Sequence, residues 1–204
     1  MPEKKSNEVE NFMQYLAPES KIHAKVLETF SGMDKPSVIF LLLETNSYPF
    51  AVFDFVRLFA EKNAETIYVT FNTSSEDLLS IFAEKSIPAS GIKFVDISAN
   101  VSGRQGDESK KISYIASAQD LTELDFQVTN SIKGLSGEKK LLVFDSVSDL
   151  LIYNEEAGTE KLLHAMINKI RSNGMAGIIV MIDSPSQEHI IKIVGHFCDK
   201  IARM

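Results

Sequence analysis

At 204 residues, 44% of them hydrophobic and 24% charged, the chain has the size and apolar content of one globular domain around a single core. A net charge of −7 gives no general attraction to nucleic acid or to an anionic membrane, and no basic patch offsets it. The lone Cys198 excludes an internal disulfide, the start Met1-Pro2-Glu3-Lys4-Lys5 is polar, and no apolar run approaches the ~18 residues of a membrane span, so a cytoplasmic protein is expected.

In chain order, residues 7–16 come first, with Val9, Phe12, Met13 and Leu16 on one helical face, followed by Pro18 and a second helix predicted over 21–30. The first face either covers an edge of the chain's own sheet or docks on another subunit or protein, and is the candidate interface. An apolar strand is predicted over 38–43. Next, Phe50, Phe53, Leu58 and Phe59 fall near helical spacing. A second strand, 66–71, leads into Thr73-Ser74-Ser75-Glu76, which fits a capping box ahead of a helix carrying Leu78, Leu79 and Phe82. A third strand spans 92–97.

The polar stretch 98–111, with Gly103, Arg104, Gly106, Lys110 and Lys111, predicts a surface loop, and Arg104 and Lys111 are its weak candidates for sensing phosphate. Strand 141–144 follows, then a helix marked by Leu162, Leu163, Met166, Ile167 and Ile170. Gly174 and Gly177 bracket the return to a last strand, 176–182. Short runs rich in Val, Ile and Phe, alternating with helical stripes, indicate buried parallel strands joined by right-handed crossovers. The fold class is therefore an α/β/α three-layer sandwich with a mainly parallel sheet over residues 37–204, and residues 1–36 form a helical extension packed on it.

These elements carry a resemblance. The series 37–62, Ile67-Tyr68-Val69-Thr70-Phe71, Lys93-Phe94-Val95-Asp96, Leu142-Val143-Phe144-Asp145-Ser146-Val147-Ser148 and 177–183 is similar to the RecA-fold ATPases of the KaiC and RadA kind. The most specific match is Phe144-Asp145-Ser146-Val147-Ser148-Asp149-Leu150-Leu151 with the helix 160–171 behind it, which resembles the Walker B strand and following helix of that family. The resemblance implies a P-loop NTPase-type sheet in which strand 177–183 lies between the Walker B strand and strand 38–43.

The chain departs from that family at two places. Where a glycine-rich phosphate loop with a lysine would follow the first strand, this sequence has Glu44-Thr45-Asn46-Ser47-Tyr48-Pro49-Phe50. A phosphate loop needs glycines so that backbone N–H groups can curl around the phosphates, a lysine for the β/γ oxygens and a hydroxyl for magnesium. Tyr48 and Phe50 add bulk here, Pro49 removes a donor and Glu44 repels phosphate. An ordinary strand-to-helix turn is expected, with Ser47 as cap and Pro49 in the first helical turn. The second departure is Asn72, at the position that the resemblance assigns to the glutamate activating the attacking water. An amide is no general base near neutral pH, and the capping box accounts for Glu76, the nearby alternative.

Other chemistries lack their signatures. His23, His164, His189 and His196 make no pair at metal-ligand spacing in sequence, and each is read as a surface or partly buried polar residue. No dinucleotide fingerprint follows the first strand, and Ser146 and Ser184 lie in no nucleophile elbow. A receiver domain would need an acidic pair after its first strand, and Glu44 stands alone there.

Two functions remain. The first is a non-catalytic RecA-fold protein, a pseudo-ATPase without ATP or magnesium, that regulates or scaffolds through contacts with protein partners, with itself or with an active relative. The alternative is a ligand- or nucleotide-responsive protein with a residual carboxylate site for a metal, where Glu44, Asp145 and Asp183 stand at the ends of three neighbouring strands.

Overall fold

The computed structural model describes residues 18–31, 36–98 and 111–204. The helix predicted over 7–16, with Val9, Phe12, Met13 and Leu16, lies outside these residues, as do Gly103, Arg104, Gly106 and Lys110. The described chain runs α1 (Pro18–Ser31), β1 (Val38–Leu43), α2 (Phe50–Glu61), β2 (Glu65–Thr70), α3 (Ser75–Glu84), β3 (Ile92–Asp96), β4 (Ile112–Tyr114), α4 (Leu121–Lys133), β5 (Lys140–Asp145), α5 (Val147–Tyr153), α6 (Glu156–Ser172), β6 (Ala176–Ile182), α7 (Glu188–Phe197) and β7 (Lys200–Arg203). All seven strands are parallel, in the order β4-β3-β2-β5-β6-β1-β7. Strand β6 thus lies between β5 and β1, as the resemblance implies. No helix among the described residues is long and apolar enough to cross a membrane.

Alternation along the strands builds two cores. Leu41 and Leu43 of β1, Tyr68 of β2 and Val143 of β5 face α2 and α3, whereas Leu42, Val69 and Phe144 face the layer of α4, α5, α6 and α7. Because helices cover both faces, the central strands are buried at nearly every position, which is why they read as continuous apolar runs. Helix α1 adds an outer layer to the α2 side. Its Val26 is fully buried, and Phe30 meets Phe59 of α2 edge-on, with ring centroids 5.2 Å apart.

Several local expectations change. Strands β4 and β7 were not predicted, because both are short edges, and β7, Lys-Ile-Ala-Arg, carries the charges that protect an exposed edge. The capping box at α3 is shifted by one residue: Ser74 is the cap, its hydroxyl accepting from the Asp77 N–H at 3.1 Å and donating to the Asp77 carboxylate at 2.7 Å. Glu76 is therefore not the capping acid. Gly174, at φ +61°, makes the return from α6, but Gly177 lies inside β6, where a Cβ would come within 2.9 Å of Ile170 Cδ1. Pro49, not Ser47, occupies the α2 cap, and no side chain caps that helix; the Ser47 hydroxyl points instead to Asn46 Oδ1 at 3.5 Å.

Candidate ligand crevice at the strand ends

In open α/β sheets ligands bind outside the carboxyl ends of the strands, and here that end is lined by the 44–50 turn, Asp145 and Asp183. Asp145 ends β5 in phase with Leu141 and Val143, so its side chain faces the α2 and α3 layer. It is 4% exposed. Tyr68 faces the same way from the neighbouring β2, two residues before Thr70, which pairs with Asp145. Its hydroxyl donates to Asp145 Oδ2, and so does that of Tyr48 from the 44–50 turn, at 3.0 Å.

Two phenols thus share one carboxylate oxygen. Oδ1 is buried and has no hydrogen-bond partner among the described residues. Burial pushes the Asp145 carboxyl up to about 6, against the opposing pull of the Tyr68 and Tyr48 hydroxyls and with a small further rise from Asp149. Burial and the adjoining carboxylate likewise hold both phenols well above the usual tyrosine range. The side-chain partners of Asp145 are thus tyrosine hydroxyls, not the backbone N–H groups that an aspartate at a strand end commonly meets.

Ser146, joined to Asp145 by a cis peptide, caps α5: its hydroxyl accepts from the Asp149 N–H at 3.3 Å and donates to the Asp149 carboxylate at 2.5 Å. Ser148 Oγ accepts from the Ile182 N–H at 3.0 Å, tying α5 to the end of β6.

Part of the turn after β1 is closed on itself. The N–H groups of Ser47 and Tyr48 donate to Glu44 O at 2.9 and 3.2 Å, that of Ala51 donates to Ser47 O at 3.2 Å, and Pro49 has none. Two donors that a phosphate loop would aim at an anion, the Ser47 and Tyr48 N–H groups, are thereby engaged within the turn.

The three candidate carboxylates do not converge. Leu43 pairs with Ile182, so Glu44 and Asp183 stand level, and both open onto a cavity of about 330 Å³ with Glu188, Ile191 and Arg203 on the α7 side of the sheet. Asp183 accepts from Arg203 Nε at 3.0 Å. Asp145 differs in both depth and face. Its neighbour Phe144 pairs with Ile179, which places Asp145 about three residues short of Asp183, and its side chain points to the opposite helical layer.

The remaining candidates also separate. Asn72 is exposed just beyond β2, while Glu76 Oε1 accepts from the Tyr114 hydroxyl at 2.8 Å. Lys111 sits at the other end of the sheet, where its Nζ donates to Ser90 O at 2.8 Å. Among the described residues, the grouping of at least three potential metal ligands is Glu156, Glu160 and His189, which no local spacing in the sequence reveals.

Residues 54–203 match the model of a family described as "Family of unknown function (DUF7504)". No curated protein matches the chain. Among solved structures, the KaiC-like protein PH0186 from the hyperthermophilic archaeon Pyrococcus horikoshii OT3 is similar at 14% identity with a TM-score of 0.55, over 82% of this chain and 70% of that one. This likeness, with the all-parallel sheet, establishes a KaiC- and RecA-like fold.

Proposed function

The chain belongs to the DUF7504 family, and on its KaiC-like fold we propose that it is a non-catalytic RecA-type protein that regulates or scaffolds through protein contacts. One observation carries this reading: the aspartate at the Walker B-like position is buried beneath two tyrosine hydroxyls, one of them supplied by the turn where a phosphate loop would lie. A magnesium site needs an ionised, accessible carboxylate with lone pairs free. Asp145 has one oxygen occupied by two donors and is 4% exposed, so the carboxylate is closed off from an ion in solution. Nucleotide would also find a turn without glycine or lysine, whose Ser47 and Tyr48 N–H groups are already used.

The alternative, a residual carboxylate site, keeps Glu44 and Asp183 but loses Asp145, and Arg203 already neutralises Asp183.

Without nucleotide to join subunits, assembly rests on apolar surface, and Val9, Phe12, Met13 and Leu16 form the apolar face that the sequence offers. A chain beginning at Pro18 is expected to keep its denaturant midpoint while its mass, by light scattering, falls from that of an assembly to the monomer's 22.7 kDa less the deleted segment. A loss of several kcal/mol in stability with no change in assembly would assign that face to the protein's own core and remove the scaffolding argument, since each large buried side chain contributes roughly 1.5–3 kcal/mol.

A further inference from the structure

We propose that Glu156, Glu160 and His189 form a binding site for a zinc-like divalent cation, linking the N-terminal halves of α6 and α7 in the helical layer opposite α2 and α3. Glu156 and Glu160 are one helical turn apart on α6, and His189 is the second residue of α7. His189 Nδ1 lies 3.0 Å from Glu156 Oε2 and 3.9 Å from Glu160 Oε1, and the three ligand atoms all lie within 4.8 Å of one another. Zinc bonds of about 2.0–2.2 Å in a tetrahedron place ligand atoms roughly 3.3–3.6 Å apart, so the observed separations bracket what one ion requires.

A simple ion pair accounts for only half of this arrangement. Nδ1 carries at most one hydrogen, and that hydrogen serves Glu156 at 3.0 Å. The second carboxylate, Glu160, converges on the same nitrogen with no second proton to meet it and with a like charge beside it. A cation between the three atoms relieves both problems. The amides of two helix N-termini oppose a positive charge here, and the two carboxylates offset them.

The geometry is also set by more than the cluster. His164 and Phe197 lie eight residues after Glu156 and His189 respectively, and their rings meet at 4.6 Å. The two helices therefore keep one register over about 12 Å, so the backbones that carry the ligands are spaced without the ion. One imidazole with two carboxylates suits zinc better than magnesium or calcium, and three protein ligands leave a position for water or for a donor from a partner. The exposed His189 makes that position reachable, with 71% of its side chain open.

The test is calorimetric titration of zinc chloride into the full chain and its variants. One ion per chain is expected to bind with Kd below about 100 μM. His189→Ala and Glu160→Gln should each weaken binding by about tenfold or more, whereas His196→Ala, an exposed histidine on the same helix, should leave it unchanged. Cobalt gives a second readout: its visible absorption in the wild type should fade in His189→Ala. Circular dichroism checks that these surface variants remain folded. Equal zinc affinity in wild type and His189→Ala, or no stoichiometric binding by the wild type, would overturn the site and leave an ion pair only.

Discussion

Tyr68→Ala is expected to lower the unfolding free energy by about 3–5 kcal/mol, the range for removing a large aromatic from a closed core. The side chain is fully buried, with its ring 6.1 Å from that of Phe82 and 6.0 Å from that of Phe94. Its hydroxyl is also one of two donors to Asp145. For a domain with roughly 5–15 kcal/mol of total stability, the loss is a large fraction of the whole. Tyr68→Phe keeps the ring and deletes only the donor, so it should cost about 1–3 kcal/mol. Urea unfolding of the two variants separates packing from hydrogen bonding. A cost below about 1 kcal/mol for Tyr68→Ala would mean that this residue is not part of a packed core.

The second large effect is a pH dependence. The folded-state value of Asp145, about 6, lies above its ordinary 3.8, so the folded protein holds that proton more tightly than the unfolded chain. Stability from this group is complete below about pH 4 and is lost as pH rises through 6, by roughly 3 kcal/mol at ~1.4 kcal/mol per unit. Asp145→Asn removes the ionisation while its amide oxygen still accepts from Tyr48 and Tyr68. The variant should therefore gain on the wild type by up to roughly 3 kcal/mol between pH 4 and pH 7. Glu65, held low by the Gly137 and Ser136 N–H groups, titrates in the opposite sense but cancels in the difference. Unfolding of both proteins at several pH values reads this directly. A difference that stays flat, or shrinks as pH rises, would show Asp145 to be an ordinary ionised carboxylate.

What the sequence reveals of this fold follows from burial. Strands β1, β5 and β6 are covered on both faces, so their apolar runs are continuous and unmistakable. The edges β4 and β7 bury little, and a three-residue Ile-Ser-Tyr or a charged Lys-Ile-Ala-Arg carries no such signal. Helix α4 buries Leu124, Val128 and Ile132 at four-residue spacing, a stripe legible in the sequence but not singled out.

At the crevice, the sequence marks Tyr48 only as bulk. That its hydroxyl meets Asp145, 97 residues away, depends on the sheet order and on both side chains facing one helical layer. Likewise, Glu44 and Asp183 group together and Asp145 does not, because strand ends differ in depth and phase as well as in order. The Glu156, Glu160 and His189 cluster joins two helices separated in the chain by a strand; two of its three members, the glutamates, are near in sequence, and a four-residue pair of acids alone marks no site.

Calorimetric titration of ATP with magnesium into the purified chain bears most directly on a crevice in which tyrosines hold the Walker B-like aspartate. No binding tighter than about millimolar is expected, the regime left when only weak contacts remain. Phe50→Lys should behave in the same way, because one added lysine supplies neither glycines nor free backbone donors. Micromolar binding of magnesium ATP by the wild type would contradict this, since it would require Asp145 to leave its tyrosines and the 44–50 turn to open around phosphate.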